Sequence, residues 1–332
     1  PLTRPELAVL LAWSKITLFD DIVASDIPDD PYFNDLLTNY FPSPINTYTK
    51  AMTNHRLKRE IIATIIANRM LDMAGPVALL RLREVTGSDN AQVARGLEAA
   101  RAVLNFDGFQ REVDQLDNIV PAEVQTDLRL HAASAMVDAA LWFIETHPDL
   151  RVGEAVQRTE APLNEFKAAL SHIHSPFPAA RIEREARGLM KRGVSEELSR
   201  WASAMGQFAQ GLLVVDLAGK MQVEVPEAGK AFYMVGDQLR IDRLRAMARD
   251  NLLHADYWDR VAGRRLLNEL VRMQADATEK ALSENGAQAW LDERDGARRA
   301  LLEELHTLGK DRNWAFARFV LAVDALRQFM RH

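Results

Sequence analysis

The chain has 332 residues, 48% hydrophobic and 27% charged, a composition typical of a folded protein with a substantial core. Lys and Arg total 41 against 47 Asp and Glu, so the formal net charge of −6 gives no basic excess for binding nucleic acid. The absence of cysteine excludes disulfides, thiolate nucleophiles and cysteine-ligated metals. It also indicates a reducing compartment, so we expect a cytoplasmic protein.

The most apolar stretch, around residues 132–144, is interrupted by Asp138. A bilayer-spanning helix needs roughly 20 apolar residues, so we expect no membrane segment. The chain begins at Pro1 rather than at a methionine. We therefore expect it to be a segment of a longer polypeptide.

The first predicted helix begins after Thr3 and ends near Ala24. Thr3 has the properties of an N-cap, Pro5 suits the first turn, and Glu6 completes a capping box. Apolar side chains follow on too many sides for a lightly docked surface helix. We therefore expect this helix to be wedged between neighbouring elements.

A turn follows over residues 26–31, where prolines and aspartates disfavour helix. Its carboxylates, Asp26, Asp29 and Asp30, could hold a hard cation, because carboxylate oxygens are the ligands that such ions prefer. Turn formation and helix capping explain the same residues without a metal, and this is the favoured interpretation.

Apolar residues at intervals of three and four predict a core helix from about residue 47 to 73, ended by Gly75-Pro76. We expect its isoleucines to form a buried stripe: Ile61, Ile62, Ile65 and Ile66.

The densest charged segment, residues 55–60 (HRLKRE), lies just before this stripe. Arg56 and Glu60 are four residues apart and could pair on one helix face, an exposed ion pair worth about 0 to 1 kcal/mol. A second interpretation assigns Arg56, Arg59 and Glu60 to docking against another domain, because guanidinium groups make bidentate contacts. Both interpretations stay open at this point.

Helical periodicity continues to the C-terminus, and strand-like alternation is almost absent. Further helices are predicted at about 77–85, 91–104, 108–116, 121–146, 154–174, 180–192, 196–218 and 227–246. Two or three long helices should fill the part after Pro226, the last proline. We predict an all-α, multi-helix array of packed bundles, with an N-terminal helical cluster over 1–120 and a long-helix C-terminal bundle over 121–332.

The sequence carries none of the common catalytic motifs. It has no G-x-G-x-x-G or Walker A spacing for a nucleotide phosphate and no G-x-S-x-G nucleophile elbow. His172 and His174 are two residues apart, which on a helix directs them to different faces, so a metal role is disfavoured. We therefore assign no catalytic, cofactor-binding or metal residue within this chain.

Three sequence blocks resemble successive blocks of the large bacterial NAD-dependent glutamate dehydrogenases, in the same order and spacing. They are residues 2–12 (LTRPELAVLLA), 25–31 (SDIPDDP) and 55–64 (HRLKREIIAT). The resemblance is strong over about residues 1–105 and looser beyond, where FYMVG at 232–236 and WDRVA at 258–262 also look like family positions. Arg243 departs from the pattern, since an aromatic residue is expected there.

The resemblance implies that the catalytic and NAD-binding domains lie upstream, so none of their functional residues maps onto this chain. The parent enzyme would convert L-glutamate, NAD and water to 2-oxoglutarate, ammonia and NADH. This chain would be its non-catalytic helical C-terminal region, serving docking onto the upstream catalytic domain, homo-oligomer assembly or regulation.

Two other functions remain open from the residues alone. One is a free-standing helical adaptor. The other is an all-helical enzyme with a site assembled from scattered residues such as His131, Glu145 and Trp201.

Overall fold

The computed structural model describes residues 2–45, 47–149, 151–252, 255–309 and 316–331. Within these ranges the chain forms seventeen α-helices and two single-turn 3-10 helices, and no strand. The prediction of an all-α fold is confirmed. Short connections join most of the helices, as expected for packed helical neighbours.

The helices have closely the bounds that caps and periodicity indicated over most of the chain. The single core helix expected over about 47–73 is wrong, because non-helical residues 54–57 divide it into two helices. The α-helices are α1 Arg4–Ala24, α2 Asn34–Tyr40, α3 Thr49–Thr53, α4 Lys58–Met73, α5 Gly75–Thr86, α6 Asn90–Val103, α7 Phe106–Asp114, α8 Ala122–Thr146, α9 Val152–Ile173, α10 Pro176–Lys191, α11 Glu196–Met221, α12 Val225–Gln238, α13 Ile241–Leu252, α14 Tyr257–Glu284, α15 Ala287–Glu293, α16 Asp295–Gly309 and α17 Phe316–Arg331. The 3-10 helices Ile27–Asp29 and Pro31–Phe33 lie between α1 and α2.

The chain divides into two compact units. The first comprises Pro1–Leu163 and Glu185–Leu212, and the second comprises Asn164–Arg184 and Leu213–His332. The boundary predicted between residues 120 and 121 stays a prediction.

The first helix begins as the sequence predicted. The backbone N–H of Thr3 donates to the Glu6 carboxylate at 2.7 Å, while the Thr3 hydroxyl accepts from the Glu6 N–H, which completes the capping box. In the second half of α1, Leu18 and Ile22 are buried in the first unit. The first half is exposed, so the expectation that the whole helix is wedged between neighbours within this chain is wrong.

The core of the first unit contains the predicted isoleucine stripe of α4. Ile61, Ile62 and Ile66 are buried, while Ile65 is half-buried at the edge of the stripe. α1 packs against α4, and α6 packs against α8. Gly96 permits the second contact, since a Cβ there would lie 2.9 Å from the carbonyl oxygen of Ala140.

The second unit is built around α14, which is 28 residues long and packs against α12, α13, α15 and α17. Its apolar core includes the fully buried Leu270, Leu291 and Leu326. Trp290 of α15 packs edge-on against Phe329 of α17, with ring centroids 6.0 Å apart.

Two predictions about this unit were wrong. The single helix expected over residues 227–246 is divided into α12 and α13 at Arg240, whose φ of 59° is left-handed. The part after Pro226 contains further short helices, since Gly286, with a φ of 87°, separates α14 from α15. A single left-handed residue leaves the spacing of apolar residues unchanged. The sequence pattern therefore predicted one helix where the backbone forms two.

Candidate functional site

The predicted docking residues Arg56, Arg59 and Glu60 lie around the start of α4 but do not form one cluster. The Arg59 guanidinium donates to the carbonyl oxygen of Val23 at 2.6 Å and to that of Ser25, and pairs with Asp29. These carbonyls lie at the end of α1, where the last four carbonyl groups of a helix have no partner within it. Arg59 therefore joins α4 to the end of α1.

Arg56 lies in the turn before α4 and is exposed, whereas Glu60 is half-buried in the first turn of the helix. The i, i+4 pairing requires both residues to be helical, and α4 begins only at Lys58. No ion pair of Arg56 is found among the described residues. A docking role for Arg56, Arg59 or Glu60 stays a prediction.

The three carboxylates of the acidic turn are engaged by protein groups. Asp26 and Asp29 each pair with an arginine, from α6 and α4 respectively. The Asp30 carboxylate accepts from the backbone N–H of Tyr32 at 3.0 Å and from that of Gly153 at 3.1 Å, and so caps the second 3-10 helix. These contacts support turn and capping roles, and the described residues include no group of three His, Asp or Glu placed to hold a metal.

A buried charge cluster lies between α4, α6 and α7. Glu98 is fully buried and accepts from the Arg101 Nε at 2.9 Å, while a guanidinium nitrogen of Arg69 lies 3.5 Å from the same carboxylate oxygen. Arg101 also pairs with Asp107. Burial lowers the pKa of Arg101, but Glu98 and Asp107 raise it more, so the net pKa is above its ordinary value. These contacts hold the three helices together, which is a structural role.

A second polar cluster, in the second unit, contains part of the FYMVG block. Gln274 is fully buried, and its Nε2 donates to the carbonyl oxygen of Phe232 at 2.9 Å. Asp242 lies 3.8 Å from Arg245, and burial raises the pKa of Asp242 above its ordinary value. Gly236 leaves room for both, since a Cβ there would lie 2.3 Å from Gln274 Nε2 and 2.8 Å from Asp242 Oδ2.

The two histidines at 172 and 174 have different environments. His172 is exposed, whereas the His174 ring lies edge-on against Tyr233 with centroids 4.6 Å apart. Burial lowers the pKa of His174 to about 4, so the imidazole is neutral at pH 7.

Arg243, the residue that departs from the family pattern, lies in α13. Its guanidinium lies over the Phe177 ring, 5.4 Å from the ring centroid, so the helix forms with arginine at this position.

The scattered residues considered for an all-helical enzyme do not meet. His131 and Glu145 both lie on α8, 145 − 131 = 14 residues apart, which is about 21 Å along a helix. The Trp201 ring packs edge-on against Phe109, with centroids 5.4 Å apart.

The first half of α1 is an exposed apolar surface of the first unit. Residues 2–13 are all exposed, and residues 7–13 read LAVLLAW without a polar side chain. The large apolar side chains exposed on this helix are Leu7, Val9, Leu10, Leu11, Trp13 and Ile16. Sequence reasoning missed this surface, although the uninterrupted apolar run is visible in the sequence.

The described residues contain no turn of the Gly-rich kind that cradles a dinucleotide pyrophosphate. A pyrophosphate site needs successive glycines in a turn between a strand and a helix, so that backbone amides can approach the phosphates. The described glycines with positive φ, Gly75, Gly87, Gly193 and Gly286, are single residues at helix boundaries.

The length and apolar character of a helix decide whether it could cross a membrane. Among the described helices none is long and apolar enough by itself to cross a membrane. The pair α4 and α5 passes on length and composition together, with a bend of 97° between the two helices.

The described residues form a helical region with structural polar clusters and an exposed, apolar first half of α1. The family model described as "Glutamate dehydrogenase, C-terminal" matches residues 1–328. The chain therefore belongs to this family of C-terminal glutamate dehydrogenase regions.

Similar full-length proteins carry the name NAD-specific glutamate dehydrogenase. The protein from Halomonas elongata is 27% identical over 98% of this chain and 21% of its own length. The proteins from Pseudomonas aeruginosa and Mycobacterium tuberculosis are 28% and 27% identical over 72% and 79% of this chain, and over 15% and 16% of their own lengths. The chain thus spans about a fifth or less of the length of the relatives it matches.

Proposed function

We propose that this chain is the non-catalytic helical C-terminal region of an NAD-dependent glutamate dehydrogenase, a bacterial oxidoreductase. In this proposal the complete polypeptide oxidises L-glutamate with NAD and water to 2-oxoglutarate, ammonia and NADH. The observation that carries the proposal is the family match over residues 1–328, which spans about a fifth of a relative named NAD-specific glutamate dehydrogenase.

The absence of a phosphate-binding glycine motif from the sequence supports a non-catalytic role. In this proposal the upstream part of the polypeptide binds NAD and glutamate. The present chain docks onto that part and supports its assembly into a homo-oligomer or its regulation.

The test compares the complete polypeptide with a truncated version that lacks residues 1–332. We expect the truncated enzyme to lose most of its glutamate oxidation, its oligomer mass, or its response to effectors. Light scattering after size-exclusion chromatography measures the mass, and NADH absorbance measures the activity. A truncated enzyme with unchanged kcat, KM, effector response and mass would overturn the proposal.

A second measurement concerns the chain alone. We expect no NAD binding by calorimetric titration and no NADH production from glutamate. Micromolar NAD affinity or measurable turnover by the 332-residue chain would contradict the non-catalytic part of the proposal.

A further inference from the structure

Residues 7–13, which follow the charged first turn of α1, are apolar around the whole helix. Successive residues of an α-helix are rotated by about 100°, so the seven residues from Leu7 to Trp13 pass around the complete circumference. Leu10 is 50% exposed and Trp13 is 64% exposed. A helix that is apolar on all sides is usually a buried helix, yet residues 7–13 of this one are exposed in the described structure.

Single exposed apolar side chains are common, but a contiguous group of them marks an interaction surface. Here the group is contiguous, because it occupies consecutive residues of one helix. The helix is also fixed in place: the capping box holds its first turn, and Leu18 and Ile22 hold its second half in the first unit. The exposed half is therefore presented to a partner in a preformed conformation, which lowers the entropy lost on binding.

Resting on the function proposed above, we propose that the segment Leu7–Trp13 docks into an apolar groove of the upstream part of the same polypeptide. The relatives are about five to seven times as long as the region they share with this chain, and this region is C-terminal in the family. The complete relative thus contains ample polypeptide upstream to form such a groove. α1 is the first helix of the shared region, so it is also the helix nearest to that upstream polypeptide along the chain.

A protein groove fits this segment better than a second copy or a lipid surface. A pair of identical helices in side-by-side contact buries one stripe of each, and would leave the other sides of this segment in water. Helices that lie on anionic membranes carry a basic polar face. α1 instead has two basic residues, Arg4 and Lys15, against the acidic Glu6, Asp20 and Asp21.

The natural absence of cysteine allows a direct test of burial. The variant Leu10→Cys introduces one thiol into this chain, and Leu130→Cys provides a matched control at a leucine of α8 that is 63% exposed. Each variant is made in the 332-residue chain and in the complete polypeptide. Maleimide labelling of the relevant peptide is followed by mass spectrometry.

In the 332-residue chain we expect the thiol introduced by Leu10→Cys to react as fast as the control. In the complete polypeptide its labelling should slow by about 100-fold, because reaction then requires local opening of the docked helix. The Leu130→Cys control should retain its rate. Equal rates for Leu10→Cys in both proteins, with circular dichroism unchanged, would overturn the proposal.

The partner is identified by placing a photoreactive phenylalanine analogue at Trp13 of the complete polypeptide. Cross-links to peptides upstream of residue 1 support the proposal. Cross-links confined to residues 1–332 of another copy, or protection of Leu10→Cys in the isolated chain that grows with its concentration, would overturn it in favour of a self-interface. Protection that arises only with phosphatidylglycerol vesicles would overturn it in favour of a lipid surface.

The two proposals can fail separately. If removal of residues 1–332 impairs the enzyme while Leu10→Cys stays freely reactive, only the docking proposal is wrong. If the truncation changes nothing, the proposed function is wrong, whatever the reactivity at residue 10.

Discussion

Gly236 of α12 gives the sharpest test of the packing in the second unit. A Cβ at this position would lie 2.3 Å from Gln274 Nε2, a distance that real Cβ contacts do not show. Gln274 is fully buried and donates to the Phe232 carbonyl oxygen. Its side chain is therefore held in place, and Gly236→Ala must displace it.

The expected loss of stability follows from three terms. Breaking the buried Gln274 hydrogen bond costs about 1 to 3 kcal/mol, and overpacking costs about 1 to 3 kcal/mol. Alanine is favoured over glycine within a helix by about 1 kcal/mol, which offsets part of this. Gly236→Ala should therefore lower the free energy of unfolding by about 3 kcal/mol, a fall in Tm of roughly 6 to 12 °C at 2 to 4 °C per kcal/mol.

Gly219→Ala is the matched control, since Gly219 is an exposed helical glycine of the same unit with no atom within 4 Å of its ideal Cβ. This variant should be stabilised by up to about 1 kcal/mol. Circular dichroism at 222 nm during thermal and urea unfolding measures both variants. Equal stabilities of Gly236→Ala and Gly219→Ala would refute the steric argument.

A double-mutant cycle identifies the obstructing group. In a Gln274→Ala background the added methyl of Gly236→Ala has room on the Gln274 side, so its effect should shrink by at least about 1 kcal/mol. Additive effects of the two substitutions would show that Gln274 is not the group that the methyl displaces.

Three further predictions concern other sites. Ile62→Ala should lower stability by about 2 to 5 kcal/mol, because Ile62 is fully buried, whereas the exposed Arg56→Ala should change it by less than about 1 kcal/mol; similar melting curves for the two would contradict this. His174 has a folded pKa of about 4, below its unfolded pKa of about 6.5, so the unfolded state binds the extra proton and stability should fall as pH drops from 6.5 towards 4. Urea titrations should show a shallower fall for His174→Gln, and identical pH profiles would exclude this contribution. Arg101→Ala should lower stability by about 3 to 5 kcal/mol, because Glu98 then loses a buried partner, and Glu98→Gln in the same chain should recover part of it in the same unfolding assay.

The sequence alone determined the helical fold and several of its details. The Thr3 capping box and the buried stripe around Ile62 follow from residues that lie three or four positions apart. Such interactions form within one or two helical turns, so a local pattern predicts them. The family resemblance also came from short blocks of consecutive residues, and the match over residues 1–328 confirms it.

Tertiary structure decided what each face of these helices meets. The spacing of nearby residues predicted no partner for Arg59. Its partners include the carbonyl oxygens of Val23 and Ser25, which lie 36 and 34 residues earlier in the chain. The apolar run of α1 predicted burial, but only the fold shows that residues 7–13 remain exposed on this chain. An apolar helix requires a cover, and periodicity does not say whether the cover comes from the same region or another, because that depends on contacts between residues distant in sequence.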